Sequence, residues 1–301
     1  MKKTKTALLV LFATICFAFS TQAIPKKLIR LNLEKGAVYE MTMNMTNNMD
    51  QEKMGQEIKM KQDMQMITSM NVDDVLPNHN YLVSYKYNSI KMTMDVMGKT
   101  MTFDTDHPDE GNPALKVMEG LTKVDLQMEL TPQGKVVNVK GFDKFSDIFG
   151  GNPQLKNMLK MFSDQESFKA NFSQTFNYFP DKKVGVGDTW DATQQFKSLM
   201  NMDIDMHFKV ADVKKNAITL NVQSNINSDM PINQNGMKME MHMKGSQNGE
   251  MNIDLNDGML TQSNMKQSIS MLMKMKNPQT LEDMEIPMKM NSDIKVIVTK
   301  K

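Results

Sequence analysis

Thioether sulfurs are concentrated in the segment MKMEMHMKG, where methionine occupies every second position. A second set with the same spacing follows in the segment SISMLMKMK. The methionines concerned are Met237, Met239, Met241 and Met243 in the first segment, and Met271, Met273 and Met275 in the second. Thioethers are soft ligands that suit copper(I). The first interpretation is therefore a copper(I) site, and the second is that these side chains form the apolar side of a folded element.

Other residue types that carry chemistry do not form a catalytic set. The four histidines are His79, His107, His207 and His242, and no two have the spacing of metal ligands on a helix. The sequence contains no GxSxG nucleophile motif. The acidic segment 104–111 resembles a calcium loop, but Leu115 occupies the twelfth position, where such a loop needs glutamate. We therefore expect a non-enzymatic protein without a cofactor.

The elements that position the methionines are predicted by a period of two. Apolar and polar residues alternate in segments that begin near Tyr39 and continue to the end of the chain. Such alternation indicates half-buried strands, and one wet face is typical of antiparallel sheets. The pattern has one apparent slip, near residues 61–63. Turn signals separate the strands, among them NGE at 248–250 and NDG at 256–258.

Strand geometry weighs against a metal site within one strand. Alternate residues on a strand lie about 6.6–7 Å apart, so a single strand does not close a tight coordination shell. Methionines on neighbouring strands would form many similar sites. His207 and His242 are expected on the opposite face from their methionine neighbours. The favoured interpretation is an apolar face, and flexible methionine is typical of surfaces that adapt to varied apolar partners.

Two regions depart from the period of two. Residues 113–120 predict a short helix, and residues 142–179 show apolar residues at intervals of three and four. In the second region Phe168, Phe172, Phe176 and Phe179 form one stripe. We expect this helix to lie on the methionine face, either as a structural layer or as a lid. Trp190 is expected to seat a strand against the core, with a ligand anchor as the alternative.

The chain divides into four predicted regions. Residues 1–23 have the basic start, short apolar core and small terminal residue of a signal peptide. An N-terminal β-half (24–140) and a C-terminal β-half (181–301) flank a helical insert (141–180). The two β-halves resemble each other weakly in the order of their strands and turns. Whether they form one composite domain or two packed modules is left open by the pattern.

Composition excludes several functions. The 36 basic and 35 acidic residues are balanced, and no basic cluster suited to nucleic acid is present. Arg30 is the sole arginine, and Cys16 in the predicted signal peptide is the sole cysteine, so no disulfide is expected in the mature chain. No stretch after residue 23 is long and apolar enough for a transmembrane helix.

Four segments carry a resemblance to a known family: LNLEKGAVYEM, VDLQMELTPQGKVVNVKGFDKF, FPDKKVGVGDTW and GEMNIDLNDGML. The chain resembles a set of uncharacterised secreted proteins of Bacteroidota that share a domain of unknown function. This resemblance implies an architecture similar to the LolA-like periplasmic lipoprotein carriers. Those proteins have a strongly curved antiparallel sheet whose concave apolar face is covered by helices.

We therefore predict an exported, mainly β protein, periplasmic or extracellular, with one or two antiparallel, strongly curved sheets. The predicted function is to bind or carry an apolar, lipid-like ligand between the methionine-lined sheet and the phenylalanine-striped helix. The residues expected to line this site are Met237, Met239, Met241, Met243, Met271, Met273, Phe168, Phe172, Phe176 and Trp190. The alternatives are a copper(I)-binding protein and a scaffold without a small ligand. A scaffold would recruit its protein partner at a sheet edge such as the C-terminal strand IKVIVTK.

Overall fold

A computed structural model describes residues 25–53, 56–107, 113–144, 165–196, 202–234, 237–276 and 282–301. The predicted signal peptide (1–23) and half of the helical insert (145–164) lie outside the described residues. The described chain is mainly antiparallel β-structure, as the period of two predicts. The sheet is open and strongly curved, and helices are few and short among the described residues.

Twelve strands and two α-helices account for most of the described chain. The strands of the N-terminal half are β1 (Val38–Lys53), β2 (Gln56–Val75), β3 (Tyr81–Val96), β4 (Lys99–Asp104), β5 (Asp125–Leu130) and β6 (Val136–Lys140). The strands of the C-terminal half are β7 (Thr189–Phe196), β8 (Met202–Val213), β9 (Ala217–Gln234), β10 (Met237–Asp254), β11 (Leu260–Lys276) and β12 (Asp283–Lys300). The helices are α1 (Pro113–Thr122) and α2 (Gln165–Ser173), and a 3-10 helix (Gln174–Phe176) follows α2.

The strands of both halves belong to one sheet. Its strand order is β6-β5-β3-β2-β1-β12-β11-β10-β9-β8-β7, and β4 pairs with β3 beside this path. The first and last strands of the chain, β1 and β12, join the halves through a ladder that begins at the pair Tyr39 and Lys300. The C-terminal segment IKVIVTK is therefore paired on both sides in the middle of the sheet, and the prediction that it is an edge is wrong.

Side chains alternate between two faces along each strand, because the side-chain period of a strand is two. In β9, Leu220 and Val222 are buried, whereas Asn221 and Gln223 are exposed. We call the face with the buried residues the inner face and the opposite one the outer face. Methionines at alternate positions lie on the inner face, as predicted.

Two local predictions about the strands are wrong. The pairing of β1 with β2 runs without a shift through residues 61–63, so Gln62 lies in phase on the inner face between Met60 and Met64. The predicted turn at 248–250 lies inside β10. Gly249 there packs so closely against β11 that a Cβ atom would lie 2.0 Å from the Asn264 carbonyl oxygen. This glycine therefore serves close packing of two strands rather than a turn.

The two halves carry the same irregularity at matching positions. The β2–β3 ladder shifts its register between Val72 and Asp74, and the β8–β9 ladder shifts between Val210 and Asp212. In both cases a valine precedes the extra residue and an aspartate follows it. Such bulges increase the local bend of a sheet, so each half curves at the same place.

The turns that precede β1 and β7 also correspond to each other in the two halves. The N–H groups of Gly36 and Gly187 donate to the carbonyls of Val72 and Val210, at 2.8 and 2.9 Å. Both glycines have φ near +85°, which favours glycine because other residues are strained there. The sequence similarity of KGAVYEM and VGDTWDA therefore corresponds to one shared turn that starts each half.

A large hydrophobic cluster fills the curve of the sheet at one end, and we call it the base cluster. It draws buried side chains from both halves, including Val83 and Leu126 from the first and Phe208 and Leu220 from the second. The turns at 76–80, 131–135, 214–216 and 254–259 lie at this end, which we call the base. The opposite ends of the strands form the distal end.

The N-terminal segment seals the base. Ile29, Leu31 and Leu33 are buried in the base cluster. The Leu31 N–H donates to the Pro132 carbonyl at 2.8 Å, and the Asn32 N–H donates to the Asp257 carbonyl at 2.9 Å. Pro132 and Asp257 lie in the turns of the hairpins β5–β6 and β10–β11, so the segment fastens one hairpin of each half to the other.

Helix α2 and the residues after it connect the two ends of the strand order. The Ser173 hydroxyl accepts from the Val136 N–H on β6 at 2.9 Å and donates to the Lys169 carbonyl at 2.6 Å. The Asn177 amide donates to the Thr193 carbonyl on β7 at 3.1 Å. This short helical segment therefore spans the gap between β6 and β7.

Candidate functional site

The inner face distal to the base cluster is the candidate site. Its methionines form rows across neighbouring strands, because antiparallel pairing places them directly opposite one another. Three such rows contain three methionines each. They are Met45, Met64 and Met92; Met243, Met271 and Met288; and Met239, Met275 and Met284.

In the C-terminal half part of this surface is buried. A second hydrophobic cluster, which we call the distal cluster, has the buried members Ile204, Ile226, Met230, Met243 and Ile269. Met206, Met241, Met271 and Met290 pack against it and are partly buried. Two of the predicted site residues, Met241 and Met243, are thus neighbours in one cluster.

In the N-terminal half the methionine surface is more accessible. Met70 of β2 is buried in the base cluster, whereas nine other inner-face methionines of β1 to β3 are partly exposed: Met41, Met43, Met45, Met49, Met60, Met64, Met66, Met92 and Met94. Towards the distal end, Met101 of β4 pairs with Met94 and is 48% exposed. Apolar side chains in this region are therefore within reach of a ligand.

A row of uncharged polar residues crosses the inner face between the two clusters. It follows the register through six adjacent strands and consists of Ser224, Gln247, Gln267, Ser292, Asn47 and Gln62. We call this row the polar belt. The row on its base side includes Val222 and Met265, and the row on its distal side includes Ile226 and Ile269.

The polar belt is only partly paired. The Asn47 amide donates to the Gln62 Oε1 atom at 3.1 Å, and the Gln62 amide donates to the Met92 sulfur at 2.8 Å. Ser224 and Ser292 are 3% and 4% exposed. Their hydroxyl oxygens and the Asn47 Oδ1 atom are buried without a hydrogen-bond partner. A buried polar group without a partner is destabilising, so these atoms are available to a ligand.

Three buried tyrosine hydroxyls in the base are paired, in contrast to the belt. The hydroxyls of Tyr39, Tyr81 and Tyr178 donate to Asp257 Oδ2, the Leu31 carbonyl and the Gly258 carbonyl, at 2.9–3.0 Å. Burial raises the pKa of Tyr85 to about 12, and it raises the pKa of Tyr39 and Tyr178 as well. These tyrosine hydroxyls therefore have their partners within the base.

The predicted site residues do not form one pocket. Phe168 and Phe176 are buried in the base cluster, and Phe172 and Trp190 pack against it. Phe172 meets Tyr85 of β3 edge to face, with ring centroids 5.1 Å apart. Met239, Met241, Met243, Met271 and Met273 belong to the distal part of β10 and β11, and nothing is described of the Met237 side chain.

The phenylalanine stripe is confirmed, and it packs on the apolar inner face as predicted, but at the base end of that face. Phe168 and Phe172 stack at 6.0 Å, and Phe176 and Phe179 stack at 6.2 Å across the 3-10 helix. The stripe packs at the base because Ser173 fixes α2 to β6, away from the methionines of β10 and β11. The prediction that this helix encloses a ligand against those methionines is therefore wrong for the described part of the insert.

Trp190 lies against the base cluster and stacks on Phe208, with ring centroids 5.3 Å apart and planes 16° apart. It therefore seats β7 on the core, as the favoured interpretation predicted. Its indole N–H is buried without a hydrogen-bond partner.

The outer face is polar and carries two open grooves. One, of about 500 Å³, is lined by residues of β7 to β10, and the other, of about 540 Å³, by residues of β10 to β12 and β1. His207 and His242 lie on this face and pair with Asp191 and Asp229 through Nδ1, at 2.7 and 2.6 Å. Both histidines thus point away from the methionines, as predicted. These grooves suit solvent rather than an apolar ligand.

Two structural features of the described ranges bear on other functions. Among these residues, no group of three or more His, Cys, Asp or Glu side chains is placed to hold a metal ion. No helix in the described part of the chain has the length and apolarity needed to cross a membrane.

The polar belt was missed in the sequence, although a signal was available. Asn47 continues the phase of Met43 and Met45, and Gln267 continues that of Ile269 and Met271. A polar residue in phase with an apolar face is a buried polar candidate. Gln62 was interpreted as an interruption of the alternation, so the row of inward-facing polar residues was not recognised.

The chain belongs to a family of unknown function, DUF6263, whose model matches residues 78–260. This range runs from the β2–β3 turn to the start of β11 and includes α2. No curated protein matches the chain. The family assignment supports the expectation of an uncharacterised domain family and identifies no activity.

Solved structures give weak likenesses. The structure entitled "Lipid-protein interactions in lipovitellin" has a TM-score of 0.44 and 9% identity, covering 89% of this chain and 25% of lipovitellin. OccK7 of Pseudomonas aeruginosa has a TM-score of 0.21 and 5% identity, covering 88% of this chain and 100% of that chain. The NalP translocator domain of Neisseria meningitidis has a TM-score of 0.19 and 4% identity, with coverages of 89% and 90%. The chain spans about a quarter of lipovitellin, and likenesses at these scores carry no functional argument.

Proposed function

We propose that this protein is a non-enzymatic carrier or binding protein for an apolar, lipid-like ligand held on the methionine-lined inner face. The ligand lies distal to the polar belt, along β1 to β3 and β9 to β12. The base cluster serves as a rigid floor, and the phenylalanine-striped helix closes the base rather than the ligand site.

The observation that carries this proposal is the partial exposure of the inner-face methionines of β1 to β3. A packed core of β-branched residues would exclude ligands, whereas unbranched methionine adapts its shape to different apolar partners. Burial of each ligand methylene contributes about 0.8 kcal/mol before the costs of ordering. A long acyl chain therefore supplies enough free energy for stable binding.

Export and carriage are part of this proposal. The basic start and short apolar core of residues 1–23 support export through a signal peptide. A periplasmic or extracellular carrier similar in role to the LolA-like proteins is the proposed setting. Lipid that moves between membranes needs a carrier with such an apolar surface, because water does not dissolve acyl chains.

The test is native mass spectrometry of the mature chain purified without detergent. Met49→Glu places a charge on the inner face of β1 distal to the belt, and Asn48→Glu places the same charge on the outer face of that strand. We expect a bound mass of lipid size in the wild-type protein and in Asn48→Glu, and its loss in Met49→Glu. A clean polypeptide mass in the wild-type protein would contradict lipid binding and favour a scaffold for a protein partner.

Copper(I) binding is the second candidate, and the three-methionine rows favour it. Adjacent strands lie about 4.8 Å apart, so the thioethers of Met243, Met271 and Met288 can converge above the middle strand. Three thioethers are a suitable ligand set for this soft ion. Copper-sized mass increments in the same experiment, lost in Met271→Leu, would replace the lipid proposal with this one.

A further inference from the structure

We infer that the polar belt selects the ligand, and that the ligand is a neutral long-chain amphiphile. Its uncharged hydrogen-bonding group, such as an ester, amide or hydroxyl, lies at the belt, and its chain extends towards the distal end. This inference rests on the proposed function and adds the chemical class of the ligand.

The belt offers both kinds of hydrogen bond to such a group. The Ser224 and Ser292 hydroxyls are buried donors without a partner, and the Asn47 Oδ1 atom is a buried acceptor without a partner. Gln247 and Gln267, between the two serines, are partly exposed and carry an amide donor and a carbonyl acceptor each. A ligand group that both donates and accepts hydrogen bonds can pair with these belt side chains.

The charge of the surroundings favours a neutral group. The belt and the rows on either side of it contain no charged side chain. The row on the base side consists of Val222, Gly249, Met265, Ile294, Met45 and Met64. The row on the distal side consists of Ile226, Gly245, Ile269, Met290, Met49 and Met60. A buried carboxylate or phosphate without a cationic partner is strongly disfavoured. Fatty acids and phospholipid headgroups are therefore poor occupants of the belt.

The geometry also gives the direction of the chain. The base cluster fills the sheet on one side of the belt, so the free path runs distally along the methionine rows. Each strand residue advances about 3.4 Å. The path from Gln267 to Met275 on β11, where Met271 and Met273 are partly exposed, is therefore about 27 Å. A long acyl chain fits along this length.

The experiment compares three probes of equal chain length: monopalmitin, palmitic acid and hexadecane. The protein is offered equimolar mixtures, separated by gel filtration, and the retained probe is extracted and quantified. We expect monopalmitin to be retained in preference to both other probes. Preferential retention of palmitic acid would overturn the neutral-group inference.

Two variants test whether the polar belt causes the preference for monopalmitin. Gln267→Leu removes a belt amide, and Gln223→Leu is the matched control on the outer face of β9. Because one hydrogen bond contributes about 0.5–1.5 kcal/mol, Gln267→Leu should reduce the preference for monopalmitin over hexadecane about threefold to tenfold. Ser292→Ala provides a second, smaller change should Gln267→Leu fail to fold. An unchanged preference in the folded belt variants would overturn the inference.

The two proposals fail differently in this experiment. If the wild-type protein retains none of the three probes, the proposed lipid binding itself is wrong. If it retains hexadecane as well as monopalmitin, the lipid site stands and the role assigned to the belt is wrong.

Discussion

Individual residues divide the molecule into a fixed part and an adaptable part. In the base, glycines and paired tyrosines hold tight contacts. The Gly258 backbone lies so close to the N-terminal segment that an added Cβ atom would meet the Arg30 carbonyl oxygen at 1.9 Å. On the distal inner face, methionine supplies flexible side chains with many rotamers. Residue type therefore follows the function proposed for each part.

Gly258→Ala is expected to destabilise the protein much more than Gly36→Ala. Both glycines have positive φ, and an L-residue there costs about 1–2 kcal/mol. At Gly36 nothing lies within 4 Å of an added Cβ atom, so the variant loses only the stability that this backbone strain costs. At Gly258 the collision with Arg30 adds about 1–3 kcal/mol, as overpacking does.

Urea unfolding of the two variants beside the wild-type protein measures this difference. Equal losses in the free energy of unfolding would mean that the N-terminal segment is not seated against the 254–259 turn.

At the scale of elements, the ends of the strand order need protection, because a free strand edge invites pairing with other chains. Helix α2 and the 3-10 helix lie across the gap between β6 and β7. Ser173 is the central contact on the β6 side, since its hydroxyl accepts the buried Val136 N–H. This arrangement explains why a helical insert separates the two β-halves in the sequence.

Ser173→Ala is therefore expected to loosen β6. The variant leaves the Val136 N–H without an acceptor, which costs about 1–3 kcal/mol for a buried donor. Hydrogen exchange of the β6 amides should accelerate accordingly. Thr175→Ala is the matched control, because the Thr175 hydroxyl donates to the Phe172 carbonyl at an exposed position. Similar exchange in both variants would show that the serine does not hold the edge.

The sequence predicts elements well where one signal dominates. Alternation identified the strands, and helix α1 (Pro113–Thr122) was predicted at residues 113–120. The period fails as a guide where polar residues face inwards, as at Gln62, because alternation assumes an apolar inner face. It also cannot specify that Gly249 continues a strand, since close packing against β11 is a tertiary contact.

The candidate site was predicted only in part. The methionines were placed correctly on one face, because the side-chain period fixes the face of each residue. The position of the phenylalanine stripe depends on the contacts of Ser173 and Asn177 with two distant strands. Helical spacing specifies which residues share a face, and it does not specify which surface that face covers.

At the scale of the whole molecule, two similar halves build one sheet. The bulges at Val72 and Val210 and the turns at Gly36 and Gly187 correspond. The pairing of β1 with β12 joins the halves, and the N-terminal segment ties their hairpins at the base. The result is a rigid base from which long strands extend and present a methionine surface.

The measurement that tests the central claim most directly is methionine oxidation by dilute hydrogen peroxide, with and without monopalmitin, read by peptide mass spectrometry. Oxidation follows exposure, so an occupied inner face protects its methionines. We predict slower oxidation of Met49, Met60 and Met290, which form the row on the distal side of the polar belt, in the lipid-loaded protein. The exposed Met97 beside the β3–β4 turn serves as the internal control and should oxidise at an unchanged rate. Equal oxidation of the three inner-face methionines with and without lipid would contradict a ligand site on this surface.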